Sequence, residues 1–268
     1  MTIANSNSGT KIGTFPFGQP VQEVVQTDRT PKDVFVLGVY ASAVHARWID
    51  TSENTVVNAL AVASEPYIFW RGENAESIIQ QIEIPKELGK LIPARHEFNG
   101  PSGQALDNLI LKPLGVDRQK VWLCDLVPYS CGNSSQIRAI ERAYLPIVQH
   151  HGLVNPSVPP IPNIMTTENR RIAIMDEFIK SEARVLILLG DKPIQWFLTY
   201  SDNRWNKLAD FGRDSKTYGR LHNAQVGGKE IQVLPLAHPR QIAKLGQSSS
   251  VWYNLHETWL EQSARKAA

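Results

Sequence analysis

The sequence predicts a three-layer α/β/α sandwich built on a central four-stranded parallel sheet, on three observations. Four short apolar runs rich in β-formers recur along the chain: Val34–Val39, Val121–Val127, Val185–Leu189 and Ile231–Leu236. Their hydrophobicity is continuous rather than alternating, which means both faces are covered, as in parallel strands between helix layers. The segments between them are long enough for crossover helices. The first such helix is expected over Gly103–Leu114, where Leu106, Leu109, Ile110 and Leu114 form one stripe. Ser135–His150 and Arg170–Ser181 are further candidates, and Ser249–Lys266 closes the chain as a last helix. Gly227-Gly228 reads as a hairpin turn. In open sheets of this kind ligands bind at the carboxyl ends of the strands, so function is to be sought in the residues just after each run.

Two regions stand outside the alternation. Residues 1–29 are rich in Asn, Ser, Thr and Gln and are expected as a flexible arm ahead of a single domain over 30–268. Residues 46–93 form a long insertion whose pattern, ARWID then TSEN then TVVNALAVA, reads as a hairpin with a polar turn. Composition narrows the class further. The chain has 268 residues, 42% of them hydrophobic, so a full core is available. The first fifteen residues carry no apolar core of a secretory signal, and no apolar run approaches the ~20 residues of a membrane span. Two cysteines, Cys124 and Cys131, make no disulfide framework or four-thiolate site, and a reduced cytoplasmic setting fits them. Net charge is only +2, but it is unevenly spread. Residues 203–244 hold eight Lys/Arg against three Asp/Glu, net +5, whereas residues 51–87 hold six Glu against two Lys/Arg, net −4. A basic segment leading into the end of the fourth strand suits a phosphate backbone, and a solvated charged surface is the bland alternative.

The post-strand residues form an ordered set. Gly38-Val39-Tyr40-Ala41-Ser42 follows the first strand. Phe98-Asn99-Gly100-Pro101-Ser102-Gly103-Gln104-Ala105-Leu106-Asp107 and then Gly115-Val116-Asp117-Arg118 precede the second, which ends in Asp125-Leu126-Val127-Pro128-Tyr129. The third ends in Leu189-Gly190-Asp191 and the fourth in Ala237-His238-Pro239-Arg240. From about Val34 to Leu260 this pattern resembles the uracil-DNA glycosylase superfamily, nearest to its iron–sulfur branch. The departures are as informative. That branch holds its cluster with four cysteines, so no cluster, metal or other cofactor is expected here. The first-strand loop of active relatives carries a carboxylate or amide that handles water, and here Val39, Tyr40 and Ala41 stand in that place. Many relatives read His-Pro-Ser where this chain has His238-Pro239-Arg240.

The resemblance implies roles for particular residues. Excising a base requires flipping it out, holding it, stabilising its departing charge and delivering water to the sugar. Phe98 matches the aromatic wall on which a base stacks, its alternative being a core Phe ahead of a helix. Asp125 stands where the family places a base-reading Asn. An ionised Asp only accepts hydrogen bonds, so Asp125 reads a different base, activates water, or caps a loop by accepting backbone N–H groups. His238 matches the family His that meets charge on the base oxygen, with a His that merely holds its loop as the alternative. In the first-strand loop Gly38 and Ser42 join the base pocket, Tyr40 lines or fills it, and Ser42 or His45 orients water. His45 is the one group there whose ordinary pKa suits base catalysis near neutrality. Arg240 and Lys244 face the DNA, with Gly100 and Ser102 at the helix start bringing backbone close to the ligand.

The expected function is thus that of a DNA glycosylase-like protein hydrolysing the N-glycosidic bond of a damaged or deaminated base, with DNA as partner. The alternative is a catalytically silent member of the same fold that binds nucleic acid or protein. A nucleotide-processing hydrolase would need a phosphate-binding or metal constellation that the sequence does not contain.

Overall fold

The computed structural model describes residues 12–245 and 249–267. Its central sheet is built where the four apolar runs lie: β3 (Val34–Tyr40), β7 (Val121–Val127), β8 (Val185–Leu189) and β10 (Lys229–Leu236). The first two strands of the chain, β1 (Gly13–Thr14) and β2 (Pro20–Val21), form a separate small antiparallel pair. β3 lies between β7 and β8 in parallel register, with Val34 opposite both Val121 and Val185, and β10 continues parallel beside β8. All seven residues of β7 and the first five of β3 are buried, so both faces of these strands are covered. That is the physical reason for their unbroken hydrophobicity.

The sheet differs from expectation by one strand. Its order is β7-β3-β8-β10-β9, and β9 (His222–Val226) is an antiparallel edge strand joined to β10 through Gly227-Gly228. Both glycines have positive φ (58° and 76°), the conformation a two-residue hairpin turn demands. β9 was hidden in the sequence because only Ala224 and Val226 turn inward; the residues between and before them are polar and face outward or lie half-buried. A one-sided edge strand needs no continuous apolar run.

Helices follow the predicted stripes with altered ends. The helix expected over Gly103–Leu114 starts at Pro101 and runs as α2 (Pro101–Leu106), a π-helical turn over Asp107–Leu111 and α3 (Lys112–Leu114). α4 (Ser134–Ala139) likewise passes into a π-helical turn at Ile140–Tyr144, and Asn133 caps it by accepting from the Ser135 and Gln136 amides. α5 (Glu168–Ser181) is capped by Thr167 and sends Ile174 and Phe178 into the core, where Phe178 meets Phe35 edge-on at 5.4 Å. α6 (Asp191–Trp196) follows β8, α7 (Pro239–Ile242) follows β10, and α8 (Ser250–Ala267) ends the chain. Among the described residues no helix is long and apolar enough to cross a membrane.

The insertion forms a second sheet. β4 (Ala43–Ile49) and β5 (Thr55–Ser64) make the expected hairpin, with Asp50 accepting from the Ser52 and Asn54 amides in its turn, but pairing starts at Ala43 rather than at residue 46. β6 (Lys90–Pro93) pairs on the other side of β4, and α1 (Ala75–Gln80) buries Ile79 against this sheet. Residues 12–29, expected as part of a flexible arm, are a packed strap; residues 1–11 lie outside the described residues. Phe15 is fully buried with Val21, Ala43 and Ala61, while Phe17 sits edge-on to Trp48 and Tyr144 and donates its amide to Tyr144 Oη (2.9 Å). A few apolar residues in polar surroundings suffice here because the insertion offers them a ready apolar surface.

Candidate active site

A cleft of about 1020 Å³ opens at the carboxyl ends of the parallel strands. It is bounded by Tyr40 ending β3, Gly190 following β8 and His238 following β10. Asp125 reaches it from within β7, where it pairs with Gly38. Tyr40, Ser42, His45, Phe98 and Asp125 line it together with His238. Gly100, Ser102, Arg240 and Lys244 line it as well. Gly38 does not: it lies behind the wall, where a Cβ would run into Asp125 Oδ1 and the Phe69 ring (2.6 Å). Its bareness is what lets both side chains sit where they do.

The cleft is shaped by docking between the two sheets. Asn99 is clamped to the backbone of His45, accepting from its amide (2.8 Å) and donating to its carbonyl (3.0 Å). This holds the preceding Phe98 at the rim, 40% exposed, rather than in the core. The loop Phe69–Gly72 packs directly on the start of α2, where a Cβ on Gly100 or Gly103 would enter its backbone. Arg118 secures the same loop by donating to the carbonyls of Ile68 (3.1 Å) and Phe69 (2.7 Å). Gly100 therefore serves loop packing as well as the cleft surface.

The electrostatics of the site come from burial. His238 Nδ1 accepts from the Arg240 amide (3.1 Å), which leaves the proton on Nε2, and Nε2 has no protein partner among the described residues. Burial pulls the His238 pKa down to about 4, with the Arg240 charge adding to the effect, so the ring is neutral at neutral pH and offers a single N–H. His45 is held down to about 4, again by burial, and its Nδ1 is buried without a partner. Desolvation thus sets the His45 ring apart from the ordinary imidazole whose pKa near neutrality suggested base catalysis. Asp125, 3% exposed, accepts no hydrogen bond from any described side chain or amide at its carboxylate, so it is not a loop cap. Burial pushes its pKa up to about 7, and the Arg170 charge opposes the shift. The Arg170 guanidinium itself is turned to the backbone, donating to the Leu126 carbonyl (3.1 Å) and the Asp125 carbonyl (2.6 Å).

Two lining residues were missed by sequence reasoning. Phe69, buried and held at a positive φ of 52°, is a second aromatic in the wall beside Asp125. Glu65, the first residue after β5, presents a second carboxyl, 3% exposed. Neither belongs to a post-strand motif of the main sheet, so no local pattern marks them. Cys124 is buried behind Arg170, and Cys131 is a free thiol in the cleft wall. Among the described residues no group of three or more His, Cys, Asp or Glu stands in metal-binding proximity.

The site is thus a cleft at the carboxyl ends of a parallel sheet, carrying a neutral imidazole, a rim Phe and a buried carboxyl. The family model for the Uracil DNA glycosylase superfamily matches residues 85–256, well over half of the chain, and the chain belongs to that superfamily. Membership brings a DNA glycosylase-like function and DNA as partner at the level of the superfamily. No curated protein matches the chain. The matched stretch includes Phe98, Asp125 and His238 but leaves out the first-strand loop and Glu65.

Proposed function

We propose that the protein excises a damaged or deaminated base, uracil or a relative, from DNA by hydrolysis of the N-glycosidic bond. The observation that carries this reading is the convergence of Phe98, Asp125 and His238 on one open cleft with room for a flipped base. Phe98, with Phe69 as a second aromatic in the wall, stacks the base; Asp125 reads its hydrogen-bonding edge. His238 donates Nε2–H to the base oxygen as negative charge grows there, a role for which a neutral donor in a desolvated site is suited. Arg240 and Lys244 at the cleft meet phosphates of the flipped strand. The absence of a carboxylate at Val39, Tyr40 and Ala41 favours a second reading, a silent member that binds DNA without cutting it. Oligonucleotides each carrying one lesion, incubated with the purified protein and scored for abasic sites, separate the two. Abasic sites on at least one lesion are expected; tight binding with no abasic site on any lesion selects the silent binder.

A further inference from the structure

The cleft floor contains two buried carboxyls where the superfamily match accounts for one. Asp125 comes from β7 and Glu65 from the insertion, and both line the same cavity. The route by which Glu65 arrives is specific. β5 returns along β4 with Ser64 paired to Ala43, which sets Glu65 level with Ser42 in the first-strand loop. That loop has Val39, Tyr40 and Ala41 where a water-handling group would be expected. The hairpin thus delivers an acid to the one place from which an acid is missing.

The backbone amides of Ser42, Trp70 and Phe69 hold the Glu65 carboxyl in place, but no cation among the described residues neutralises it. It forms no ion pair with any described residue, and neither does Asp125. Two carboxyls buried together without a cation are costly to keep unless one of them holds a proton. The surrounding charged and titratable groups leave them in that condition. Arg170 from α5 acts on Asp125 only from behind, through the backbone it contacts. Tyr40 from β3, Cys124 from β7 and Cys131 beyond it are neutral acids whose own ionisation is disfavoured by burial. His45 and His238 are neutral, and the cations Lys192, Arg240 and Lys244 line the cleft without pairing to either carboxyl.

We propose that Glu65 is a catalytic residue of this chain, whose carboxylate takes the proton of the attacking water beside the base-reading Asp125. The assignment rests on the excision reading of the cleft. The water oxygen bonds to C1′ of the sugar as the C1′–N bond breaks; the bonding pair leaves on the base, met by His238 Nε2–H, and the water proton passes to the Glu65 carboxylate. Solvent later takes that proton and protonates the released base. Burial, then the Asp125 charge, push Glu65 up to about 8 against the backbone amides of Ser42, Trp70 and Phe69. A carboxylate raised in this way is a stronger proton acceptor, once ionised, than a solvated one.

The test uses full-length protein and the oligonucleotide lesion that the wild type cleaves fastest, in single turnover from about pH 5.5 to 9. Glu65→Gln is expected to slow base release by on the order of 10²-fold or more and to abolish the rise in rate across about pH 7 to 8, with DNA affinity within about twofold of wild type. Glu65→Asp is expected to restore part of the rate. Wild-type rate and pH profile in Glu65→Gln would overturn the proposal, as would equal loss of rate in Glu65→Asp and Glu65→Gln accompanied by loss of DNA binding, which marks a structural role. A wild type that releases no base overturns the excision reading and this one together; an active wild type with an unimpaired Glu65→Gln overturns this one alone.

Discussion

His238 presents a single free polar atom, and its neighbours decide which. The Arg240 amide occupies Nδ1 and burial suppresses protonation, so the ring presents Nε2–H and no positive charge. A donor of this kind is worth most when charge develops on the base, not in the ground state. His238→Ala should therefore slow single-turnover base release by on the order of 10²-fold with DNA affinity nearly unchanged, measured by gel-resolved cleavage and anisotropy. Asp125 makes a different kind of statement. Ionised it only accepts; an amide in its place both donates and accepts. Asp125→Asn is expected to shift preference toward uracil, whose edge sets a carbonyl beside an N–H. The ratio of uracil release to release of other lesions by variant and wild type measures it, and an unchanged ratio would remove base reading from Asp125.

Between elements, the decisive contact is the seat of the Phe69–Gly72 loop on α2. Gly103 lies inside the helix with its Cα against the Phe69 and Trp70 carbonyls, and Gly100 meets the Arg71 and Gly72 backbone. In an isolated helix Gly103→Ala would help by ~1 kcal/mol. Here the added methyl meets main chain that cannot rotate away, so the variant should instead lose about 1–3 kcal/mol, read by denaturant unfolding. The same loop carries Phe69 into the cleft, so cleavage should fall with it. This is an element-level fact that sequence reading half contained. The glycines of Gly100-Pro101-Ser102-Gly103 were legible as a place where backbone comes close, but the partner, a loop some thirty residues earlier, was not.

Over the whole molecule, charge and titration set the response to solution conditions. Residues 203–244 carry net +5 and lead to Arg240 and Lys244 at the cleft. Affinity for DNA should fall steeply with salt by counterion release, and Arg240→Ala should lower both the affinity and the slope of log K against log salt, by about 0.9 for one phosphate contact on duplex DNA. Binding that ignores salt would exclude a phosphate-led interface. Stability has its own pH signature. His45, His238 and His256 are each held by burial at about 4, against an ordinary 6.5, so the unfolded chain takes up their protons first. Their contribution is present above about pH 6.5 and is lost as pH falls toward 4. Glu65 and Asp125 work the other way: raised to about 8 and about 7 from ordinary values near 4, they favour the folded state at low pH, and their cost builds as pH rises from about 4 and is complete by about 8. The melting temperature is expected to peak near pH 6.5 and fall on both sides. Glu65→Gln should flatten the alkaline limb, and an alkaline limb identical to wild type would mean that Glu65 is not buried as a carboxyl.

The sequence by itself determined the parallel strands, because strands covered on both faces must be apolar throughout, and that pattern is local. It also determined where His238 stands, since the residue following a parallel strand is carried to one edge of the sheet; Asp125 reaches the same edge from within β7, and Phe98 from the turn ahead of α2. The antiparallel β9 escaped because an edge strand with one wet face needs few apolar residues. Only the tertiary structure decided that residues 12–21 strap the insertion, that Phe69 and Glu65 enter the cleft, and that burial holds His45 well below an ordinary imidazole. Each depends on what lies across space from a residue rather than beside it in the chain. Glu65 is 60 residues from Asp125, and the charge on either is governed by water excluded and neighbours brought near, quantities that exist only once the chain has folded.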